Sequence, residues 1–337
     1  MLKRIAIIGA SGVVGERMFQ LLKERNFQHD SLELFASEKE GRFLEYEGEK
    51  FPIRPVSTAD FSNIDVALFT AGTEPSVQYS QVAADAGCLV IDNTNVFRMR
   101  DDVPLIVPRV NLNSLTGIPK SNIIANPNCS TIPFARAIQQ LDQQFNLKEA
   151  VVSTYQAVSG AGKAGIVELE NEAKAKLDDV DYIPEVFEEK IAFNLIPRID
   201  EDLASGATME EQKMRQETRK ILDRPSLPVF TTCVRVPVAN CHSEAICLTF
   251  ENEISLTKVI EVLETVPELT LHLGKGRESY PTPLEVSGSH NMHIGRVRVD
   301  KEYPNKLQFW LVADNLLIGA ALNAVQIAEG MRSEGWI

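Results

Sequence analysis

The first third of the chain alternates short apolar runs with amphipathic segments. Residues 5–8 (Ile-Ala-Ile-Ile) form a continuous apolar run, which is typical of a strand buried on both faces of a parallel sheet. After this run, Val14, Met18, Leu21 and Leu22 recur at the spacing of one helical face. Further strands are predicted at residues 32–37, 65–70, 88–92, 105–107 and 123–125. Repeated βα units of this kind predict right-handed crossovers and an α/β fold with a Rossmann-type, doubly wound sheet.

The pattern changes beyond a predicted helix at residues 130–145. Strand-like segments then follow, several of them separated by short turns, at residues 150–155, 229–238, 244–250, 294–299 and 307–313. Helices are predicted among them near residues 160–178, 209–223 and 255–266, and a last, alanine-rich helix at about 316–331. This mixture favours a second, α+β domain built on a mostly antiparallel sheet.

The length of the chain also favours two domains, because 337 residues are too many for one ordinary core. We predict a first domain at residues 1–128, completed by the helix at about 316–337, and a second domain at residues 129–315. No apolar run approaches the ~20 residues that span a bilayer. The net charge of −13 argues against a nucleic-acid partner. Five cysteines without a framework spacing favour free thiols in a cytoplasmic protein.

A glycine-rich loop joins the first predicted strand to the first predicted helix. It reads Gly9-Ala10-Ser11-Gly12-Val13-Val14-Gly15, with Ser11 at the position where a middle glycine is often found. A glycine pattern between a strand and a helix predicts a dinucleotide phosphate site at the helix N-terminus. The alternative is that these glycines serve only tight packing.

The end of the second predicted strand bears on the choice between NAD and NADP. NAD-selective sites place an acid there for the ribose 2′-hydroxyl, but this strand ends in Ala36-Ser37. A small hydroxyl on Ser37 with a cation at Lys39 suits a 2′-phosphate, so NADP is favoured. Glu38 leaves the opposite choice open, because its carboxylate would reverse the preference if it bound a ribose hydroxyl.

The stretch Asn126-Pro127-Asn128-Cys129-Ser130 lies between a predicted strand and a predicted helix. A cysteine at a helix N-terminus meets unpaired backbone N–H groups, which lower its pKa toward the nucleophilic thiolate. A small buried hydrophobic residue is the alternative interpretation of any free cysteine. That alternative is the better one for the other four thiols, which are Cys88, Cys233, Cys241 and Cys247.

Other candidate groups follow predicted strands or begin helices. His242 lies in a polar turn after Arg235 and is suited by its pKa to move protons for a cysteine nucleophile, although many histidines are structural. His290 and His293 complete no metal-ligand set, so no metal is expected. The remaining candidates are Arg98, Arg100, Gln156, Ser159, Gly160, Glu210, Lys213 and Asn315. The structural alternative is a solvated arginine for the first two, a packing turn for residues 156–160, and a surface ion pair for Glu210 with Lys213. Asn315 lies between a predicted strand and the last helix, where it could reach a cofactor amide.

With these residues in place, the chain resembles the aspartate-β-semialdehyde dehydrogenase family. The motif Asn-Pro-Asn-Cys-Ser-Thr, together with the spacing between Arg235 and His242, is its most specific sign. The resemblance covers essentially the whole chain and is carried by the N-terminal glycine loop and by residues 97–99, 126–132, 156–165, 191–199, 210–222, 235–244 and 314–321.

The resemblance implies that the first domain binds NADP and that the second serves substrate binding, catalysis and dimerisation. It also implies a role for each candidate residue. Cys129 forms an acyl-thioester, His242 is the general acid/base and Gln156 orients the substrate. Arg235 holds the α-carboxylate and Glu210, or its neighbour Glu211, the α-amino group. The transferred phosphate is held by Arg98, Lys213 and Asn128. The implied NADP site comprises Gly9, Ser11, Gly12, Val13, Val14, Ser37, Glu38, Ser159, Gly160 and Asn315.

The implied reaction is the NADPH-dependent conversion of L-4-aspartyl phosphate to L-aspartate 4-semialdehyde by a homodimer, in the biosynthesis of lysine, threonine, methionine and diaminopimelate. The chain departs from the family pattern at Lys39-Glu40, which weakens the NADP assignment, and at Cys241, which replaces a usual glycine. Cys241 is therefore expected to add an oxidisable thiol near the site. Two rivals stay open, namely an acyl-phosphate reductase for N-acetylglutamyl phosphate or glyceraldehyde phosphate, and a paralogue of the same fold without turnover.

Overall fold

Apolar runs become strands along this chain, and the amphipathic segments between them become helices. The computed structural model describes residues 3–37 and 42–337. The strands are β1 (Arg4–Ile8), β2 (Ser31–Ala36), β3 (Phe43–Tyr46), β4 (Glu49–Pro55), β5 (Val66–Phe69), β6 (Leu89–Asp92), β7 (Ile123–Ala125), β8 (Leu147–Gln156), β9 (Val229–Arg235), β10 (His242–Phe250), β11 (Leu269–His272), β12 (Met292–Val299) and β13 (Lys306–Ala313). The helices are α1 (Val13–Glu24), α2 (Thr73–Asp85), α3 (Pro108–Asn111), α4 (Thr131–Phe145), α5 (Gly162–Leu177), α6 (Met209–Ile221), α7 (Leu256–Glu264), α8 (Pro283–Val286) and α9 (Leu322–Ser333).

The chain divides into two units, the first comprising Met1–Asn128 with Ala320–Ile337 and the second Cys129–Gly319. The first unit is built on a sheet with the strand order β3-β4-β2-β1-β5-β6-β7. All neighbouring strands are parallel except the β3–β4 pair. Helix α9 packs against α1 in this unit, where Arg25 pairs with Glu329 at 2.7 Å. Cofactor binding by the first unit and catalysis by the second stay predictions.

The second unit is built on a sheet with the order β11-β12-β13-β10-β8-β9. Its three central pairings are antiparallel, while β11–β12 and β8–β9 are parallel. One face is buried and carries His242, Glu244 and Gln156 among apolar side chains. The other face exposes Val151 and Phe230, which lie directly opposite each other on β8 and β9.

The structure confirms the predicted fold class, an α/β chain with a Rossmann-type sheet and a second, mostly antiparallel sheet. Three details differ from the sequence-based expectation. Residues 105–107 make only an isolated bridge from Leu105 to Ala125, because prolines flank the segment and cannot donate to a ladder. β9 ends at Arg235, two residues before Pro237. The β3–β4 hairpin and β11 were not expected.

The last helix is also less regular than its apolar pattern predicts. A π-helical turn, Leu317–Ala321, comes before α9. Such turns are rare and frequently lie at functional sites. Among the residues that the structure describes, no helix is long and apolar enough to cross a membrane. The cytoplasmic location stays a prediction.

Candidate active site

Cys129 and His242 meet in the second unit, although 113 residues separate them in sequence. Cys129 precedes α4, and His242 is the first residue of β10. The Sγ atom of Cys129 lies 3.2 Å from Nε2 of His242. Gly319 packs directly on this cysteine, since a Cβ atom there would lie 2.8 Å from the Cys129 carbonyl oxygen. A side chain at position 319 would therefore displace the thiol from the histidine.

The second ring nitrogen of His242 is held by the backbone. The N–H of Ala157, just beyond β8, donates to Nδ1 at 3.0 Å. Burial lowers the pKa of His242 well below its ordinary value, and the charge of Arg235 lowers it further. The ring is therefore neutral near pH 7.

Gln156 lies at the centre of a buried chain of polar side chains that begins with Thr154. The Thr154 hydroxyl donates to Oε1 of Gln156 at 2.9 Å, and the Gln156 amide donates to Oε1 of Glu210 at 3.1 Å. Lys213, one turn further along α6, donates to the other Glu210 oxygen at 3.3 Å. It also donates to Asp200 at 2.5 Å. The structure thus brings together three predicted residues and two, Thr154 and Asp200, that were not predicted.

Glu211 makes different contacts from Glu210. The sequence left open which of these two acids faces the other candidate residues. Its carboxylate accepts the backbone N–H of Thr208 at 2.9 Å, while the Thr208 hydroxyl accepts the Glu211 N–H. This reciprocal pair is a capping box at the start of α6. The other Glu211 oxygen accepts the backbone N–H of Cys233 at 3.2 Å. Glu210 is therefore the acid that faces Gln156.

Arg235 ends β9 and is buried close to the same groups. Its Nη1 donates to the Ala157 carbonyl at 2.7 Å, and a Cβ atom on Gly160 would lie 2.7 Å from that nitrogen. Burial lowers the pKa of Arg235, and the nearby Cys129 and Glu210 oppose that shift. An arginine keeps its charge in proteins, so a fixed cation lies beside the thiol.

A cavity of about 350 Å³ opens beside Arg235 in the second unit. Its wall includes the cation of Arg235 and the carboxylate of Asp200, with Phe187 and Ile196 as apolar parts. The wall of this cavity therefore offers both a cation and an anion to a small ligand. Asp200 lies in an irregular loop at φ +71°, and only its acidic character could have pointed to it in the sequence.

Ser159 and Asn315, two predicted cofactor residues of the second unit, are hydrogen-bonded to each other. The Asn315 amide donates to the Ser159 hydroxyl at 3.0 Å, and its oxygen accepts the backbone N–H of Cys241 at 3.0 Å. Gly160 follows Ser159 and lies against His242 and Arg235. The sequence alone does not reveal this pairing.

The glycine loop of the first unit has two kinds of glycine. Gly9 has φ +99°, and a Cβ atom on Gly15 would lie 2.2 Å from the Gly9 carbonyl oxygen, so both are required by the loop itself. Gly12 is exposed, and a Cβ atom there would meet nothing closer than 3.4 Å. It is the N-cap of α1 and provides no side-chain cap. The first backbone N–H groups of α1, those of Val13 and Val14, therefore lie at an open surface beside Ser11.

The residues proposed to choose between NAD and NADP are only partly described. Ser37 follows β2 and is exposed. Glu38, Lys39 and Glu40 lie outside the described residues. The choice of cofactor consequently stays a prediction.

Arg98 and Asn128, the predicted phosphate residues of the first unit, are both buried. Arg98 donates to the carbonyl oxygens of Asn126 at 2.9 Å and Asn93 at 2.7 Å. Arg100, the neighbouring candidate, forms a surface ion pair with Asp102 at 2.6 Å. Of the two arginines, Arg98 is the one tied to the backbone that leads to Cys129.

The other four thiols are unlike Cys129 in their surroundings. Burial raises the pKa of Cys88 to about 12 and raises the pKa values of Cys233, Cys241 and Cys247. Cys241 is completely buried, packs against Val286 and Val312, and sits at φ +74°. This removes the basis for expecting it to be an oxidisable thiol, because reactivity requires an accessible thiolate.

Comparison with known proteins gives matches over nearly the whole chain. The family described as "Semialdehyde dehydrogenase, NAD binding domain" matches residues 4–118, and "Semialdehyde dehydrogenase, dimerisation domain" matches residues 138–318. The chain is 43% identical to an aspartate-semialdehyde dehydrogenase of Aquifex aeolicus (strain VF5), with 99% of each chain covered. It is 39% identical to one of Bacillus subtilis (strain 168), with 97% of each covered.

Solved structures agree with these matches. The crystal structure of aspartate semialdehyde dehydrogenase II from Vibrio cholerae has a TM-score of 0.95 and 41% sequence identity, with 99% of each chain covered. The structure of that enzyme complexed with ASA has a TM-score of 0.96 at the same identity and coverage.

Proposed function

Because the chain belongs to the aspartate-semialdehyde dehydrogenase family, we propose that it reduces L-4-aspartyl phosphate to L-aspartate 4-semialdehyde with NADPH. The reaction releases phosphate and serves the biosynthesis of lysine, threonine, methionine and diaminopimelate. The observation that carries the proposal is the contact between Cys129 Sγ and His242 Nε2 at 3.2 Å, with Arg235 beside it.

Cys129 is the nucleophile of the proposed reaction. Its sulfur attacks the acyl carbon of the substrate, and collapse of the tetrahedral intermediate expels phosphate and leaves a thioester on the cysteine. His242 acts at the same carbon, because its Nε2 atom lies beside the attacking sulfur. Arg235 supplies positive charge near the reacting groups, which lowers the cost of negative charge in a protein of net charge −13.

The aspartyl part of the substrate is held by charges of the second unit. Arg235 binds the α-carboxylate, and Glu210 binds the α-amino group next to Gln156, which orients the reacting carbonyl. Lys213, which also donates a hydrogen bond to Glu210, is proposed to bind the phosphate. Arg98 and Asn128 of the first unit are proposed as further phosphate ligands.

The glycine loop of the first unit fits a dinucleotide. The exposed Gly12 leaves room above the first turn of α1, where backbone N–H groups bind phosphate. Ser11, Val13 and Val14 complete this loop, and Ser37 takes the 2′-phosphate of NADP. Ser159 and Asn315 of the second unit hold the nicotinamide end. When bound, the cofactor supplies the hydride that reduces the thioester.

We further propose that the protein is a homodimer and that the outer face of the second sheet forms the interface. Val151, Tyr155 and Phe230 are 42%, 37% and 56% exposed on this face. Trp310 lies next to Tyr155, at 5.3 Å between ring centroids. A contiguous patch of this kind on β8, β9 and β13 is typical of a contact surface.

The dimer is tested by sedimentation of a Val151→Glu/Phe230→Glu variant, which is expected to sediment as a monomer. Leu284→Glu is the matched control, because Leu284 is 91% exposed and lies outside this face. A wild-type monomer, or a double variant that stays dimeric, contradicts the proposed interface.

The function is tested by phosphate-dependent reduction of NADP+ and NAD+ with L-aspartate semialdehyde. We expect turnover with NADP+ and a loss of at least about 10³-fold in Cys129→Ala. Absence of wild-type turnover with either cofactor contradicts the function, and a strong preference for NAD+ contradicts only the cofactor assignment.

The rival acyl-phosphate reductases are tested in the same assay. N-acetylglutamate semialdehyde and glyceraldehyde 3-phosphate replace the substrate, and neither has the free α-amino group that Glu210 is proposed to bind. Faster turnover of either one overturns the substrate assignment.

A further inference from the structure

Three asparagine side chains of the first unit form a hydrogen-bonded series, which we call the asparagine series. Asn93 follows β6 and Asn126 follows β7, so both lie at the carboxyl ends of neighbouring parallel strands. Asn323 lies in α9 and is 1% exposed. Its amide donates to Oδ1 of Asn126 at 2.6 Å, and the Asn126 amide in turn donates to Oδ1 of Asn93. The series therefore connects the last helix to the sheet edge where such folds bind ligands.

One backbone carbonyl fixes the direction of the asparagine series. The amide nitrogen of Asn323 also donates to the carbonyl oxygen of Ile106 at 3.1 Å. A carbonyl oxygen can only accept, so Nδ2 rather than Oδ1 of Asn323 faces this group. The same nitrogen faces Asn126, which must then accept with its oxygen and direct its own amide hydrogens at Asn93. Each amide orientation therefore follows from the one before it, beginning at α9.

The asparagine series braces the two residues that hold Arg98. The Nε atom of Arg98 donates to the backbone carbonyl of Asn126 at 2.9 Å, and its Nη2 atom donates to that of Asn93 at 2.7 Å. The side chains of the same two asparagines are hydrogen-bonded to each other. The two carbonyls therefore keep a fixed separation, and the planar guanidinium between them is held in one orientation.

The buried amide of Asn323 is unfavourable unless its hydrogen bonds have a use. Among the residues that the structure describes, its Oδ1 atom has no hydrogen-bond partner. An unsatisfied buried acceptor destabilises a protein, and a leucine with the same number of side-chain heavy atoms would avoid this cost. The adjacent buried positions on α9 are apolar, namely Leu322, Ala324 and Val325. The two hydrogen bonds that Asn323 donates therefore account for the amide at this position.

We infer that Asn323 is a positioning residue, which sets the guanidinium of Arg98 for the transferred phosphate by holding Asn126. The inference rests on the proposed function, in which Arg98 binds that phosphate. A binding group that is displaced by about 1 Å can lose much of its effect, even when its charge is intact. Loss of the Asn323 amide is therefore expected to weaken phosphate binding while Arg98 itself stays in place.

Asn323→Leu tests the inference by removing both donated hydrogen bonds. In the phosphate-dependent oxidation of L-aspartate semialdehyde, we expect the KM for phosphate to rise about three- to thirtyfold, the range for residues that act through a network. The KM for the semialdehyde should stay within about twofold of the wild-type value, because the proposed ligands of the aspartyl part belong to the second unit. A fall in kcat with an unchanged KM for phosphate is the result of a merely structural role and overturns the inference.

Asn111→Leu is the matched control. The Nδ2 atom of Asn111 donates to the Leu105 carbonyl at 2.9 Å, and its Oδ1 atom accepts the Val107 N–H at 2.8 Å. These two residues flank Ile106, so the control loosens the same backbone segment by another route. We expect it to unfold at lower urea concentration and to keep the wild-type KM for phosphate. A rise in KM equal to that of Asn323→Leu would overturn the inference.

Asn126→Ala interrupts the asparagine series at its middle member, and it keeps the inference testable if Asn323→Leu fails to fold. It is expected to raise the KM for phosphate by a similar factor. In the double variant Asn126→Ala/Asn323→Leu the two factors should not multiply, because both substitutions break the same series. Factors that multiply would mean that the two residues act independently, which contradicts the inference.

Arg98→Gln distinguishes a failure of the inference from a failure of the proposed function. If this substitution leaves the KM for phosphate unchanged, the proposed phosphate ligand is wrong and the inference fails with it. If it raises that KM and Asn323→Leu does not, only the inference is wrong.

A spectroscopic measurement tests the positioning without turnover. In ¹⁵N-arginine-labelled protein, the Nε–H signal of Arg98 is the one lost in Arg98→Gln. We expect its hydrogen to exchange with solvent at least about tenfold faster in Asn323→Leu than in the wild type, because the brace on its acceptor is gone. Equal rates in the two proteins, or a wild-type hydrogen that exchanges as fast as that of free arginine, overturn the inference.

Discussion

The two units prepare their proposed sites with different parts of the chain. In the first unit, the loop around Gly9, Gly12 and Gly15 offers backbone N–H groups, and close approaches of main-chain atoms require glycine at positions 9 and 15. In the second unit, the proposed groups are side chains, such as Gln156 and Glu210, that meet from separate elements. The first site is therefore sensitive to added volume, and the second to the loss of a functional group.

This difference predicts which substitutions each unit tolerates. A backbone site can be destroyed by one methyl group, because main-chain atoms cannot move out of the way. A side-chain site keeps its fold when a charge is removed, but its affinity or pH dependence changes. Four substitutions test this contrast, in order of decreasing expected effect.

Gly15→Ala is expected to have the largest effect on stability. Its Cβ atom would lie 2.2 Å from the Gly9 carbonyl oxygen and 2.8 Å from the Ala10 Cα atom. We expect the free energy of unfolding, measured with urea, to fall by about 2–3 kcal/mol. Gly12→Ala is the matched control within the loop, since its nearest contact is 3.4 Å, and it should cost well under about 1 kcal/mol. Similar losses in both variants would contradict the contrast.

Glu244→Gln tests a buried acid of the second unit. Glu244 is fully buried on β10, and among the residues that the structure describes neither of its carboxylate oxygens has a hydrogen-bond partner. Burial raises its pKa well above the ordinary value of 4.5. Between pH 4.5 and this raised pKa, the unfolded state loses the Glu244 proton while the folded state keeps it. Over this range the free energy of unfolding therefore falls as the pH rises.

We therefore expect Glu244→Gln to be more stable than the wild type at pH 8 by about 1–2 kcal/mol, and the gain to shrink toward pH 5. Urea unfolding at the two pH values measures it. Glu251→Gln, at an exposed position just beyond β10, should change neither value. A gain that is equal at both pH values would mean that the titration of Glu244 is not its cause.

Asp200→Asn has a smaller expected effect and tests the charge around Lys213. Burial opposes ionisation of Asp200, but Lys213 at 2.5 Å outweighs it and lowers the carboxyl pKa. If Lys213 binds phosphate, the aspartate competes with the substrate for this ammonium. The KM for phosphate is then expected to fall about two- to fivefold, the size of one partly exposed ion pair.

Asp202→Asn is the control for this effect, because Asp202 pairs with Arg198 at 3.1 Å in the same loop. Its KM for phosphate should stay at the wild-type value. If Asp200→Asn instead raises the KM for the semialdehyde and leaves phosphate unchanged, the carboxylate binds the α-ammonium group.

Cys241→Gly is expected to have the smallest effect, because the backbone strain that it relieves and the buried contacts that it removes offset each other. The residue lies in the second unit but at φ +74°, where a side chain costs about 1 kcal/mol. Removing the buried thiol costs about the same amount. The free energy of unfolding should therefore change by less than about 1 kcal/mol, and inactivation by peroxide should keep its wild-type rate. A slower inactivation would show that this buried thiol is oxidised after all.

Local pattern was enough to predict much of the first unit. The run at residues 5–8 and the periodicity from Val14 to Leu22 appear as β1 and α1, since strand and helix are encoded by nearby residues. The hairpin β3–β4 was missed because its residues are mostly exposed and have no apolar run. In the second unit, the parallel pairing of β8 with β9 could not be predicted, because strand order depends on contacts between distant segments.

By itself, the sequence determined most of the helices and strands, the glycine loop and the position of Cys129 before a helix, because each depends on residues close together in the chain. The family resemblance also depends on the sequence alone. Only the tertiary structure decided that His242 reaches Cys129, that the Ala157 N–H donates to its Nδ1 atom, and that Asp200 shares Lys213 with Glu210. These are contacts between separate elements, and their distances and burial arise only when the sheets and helices pack.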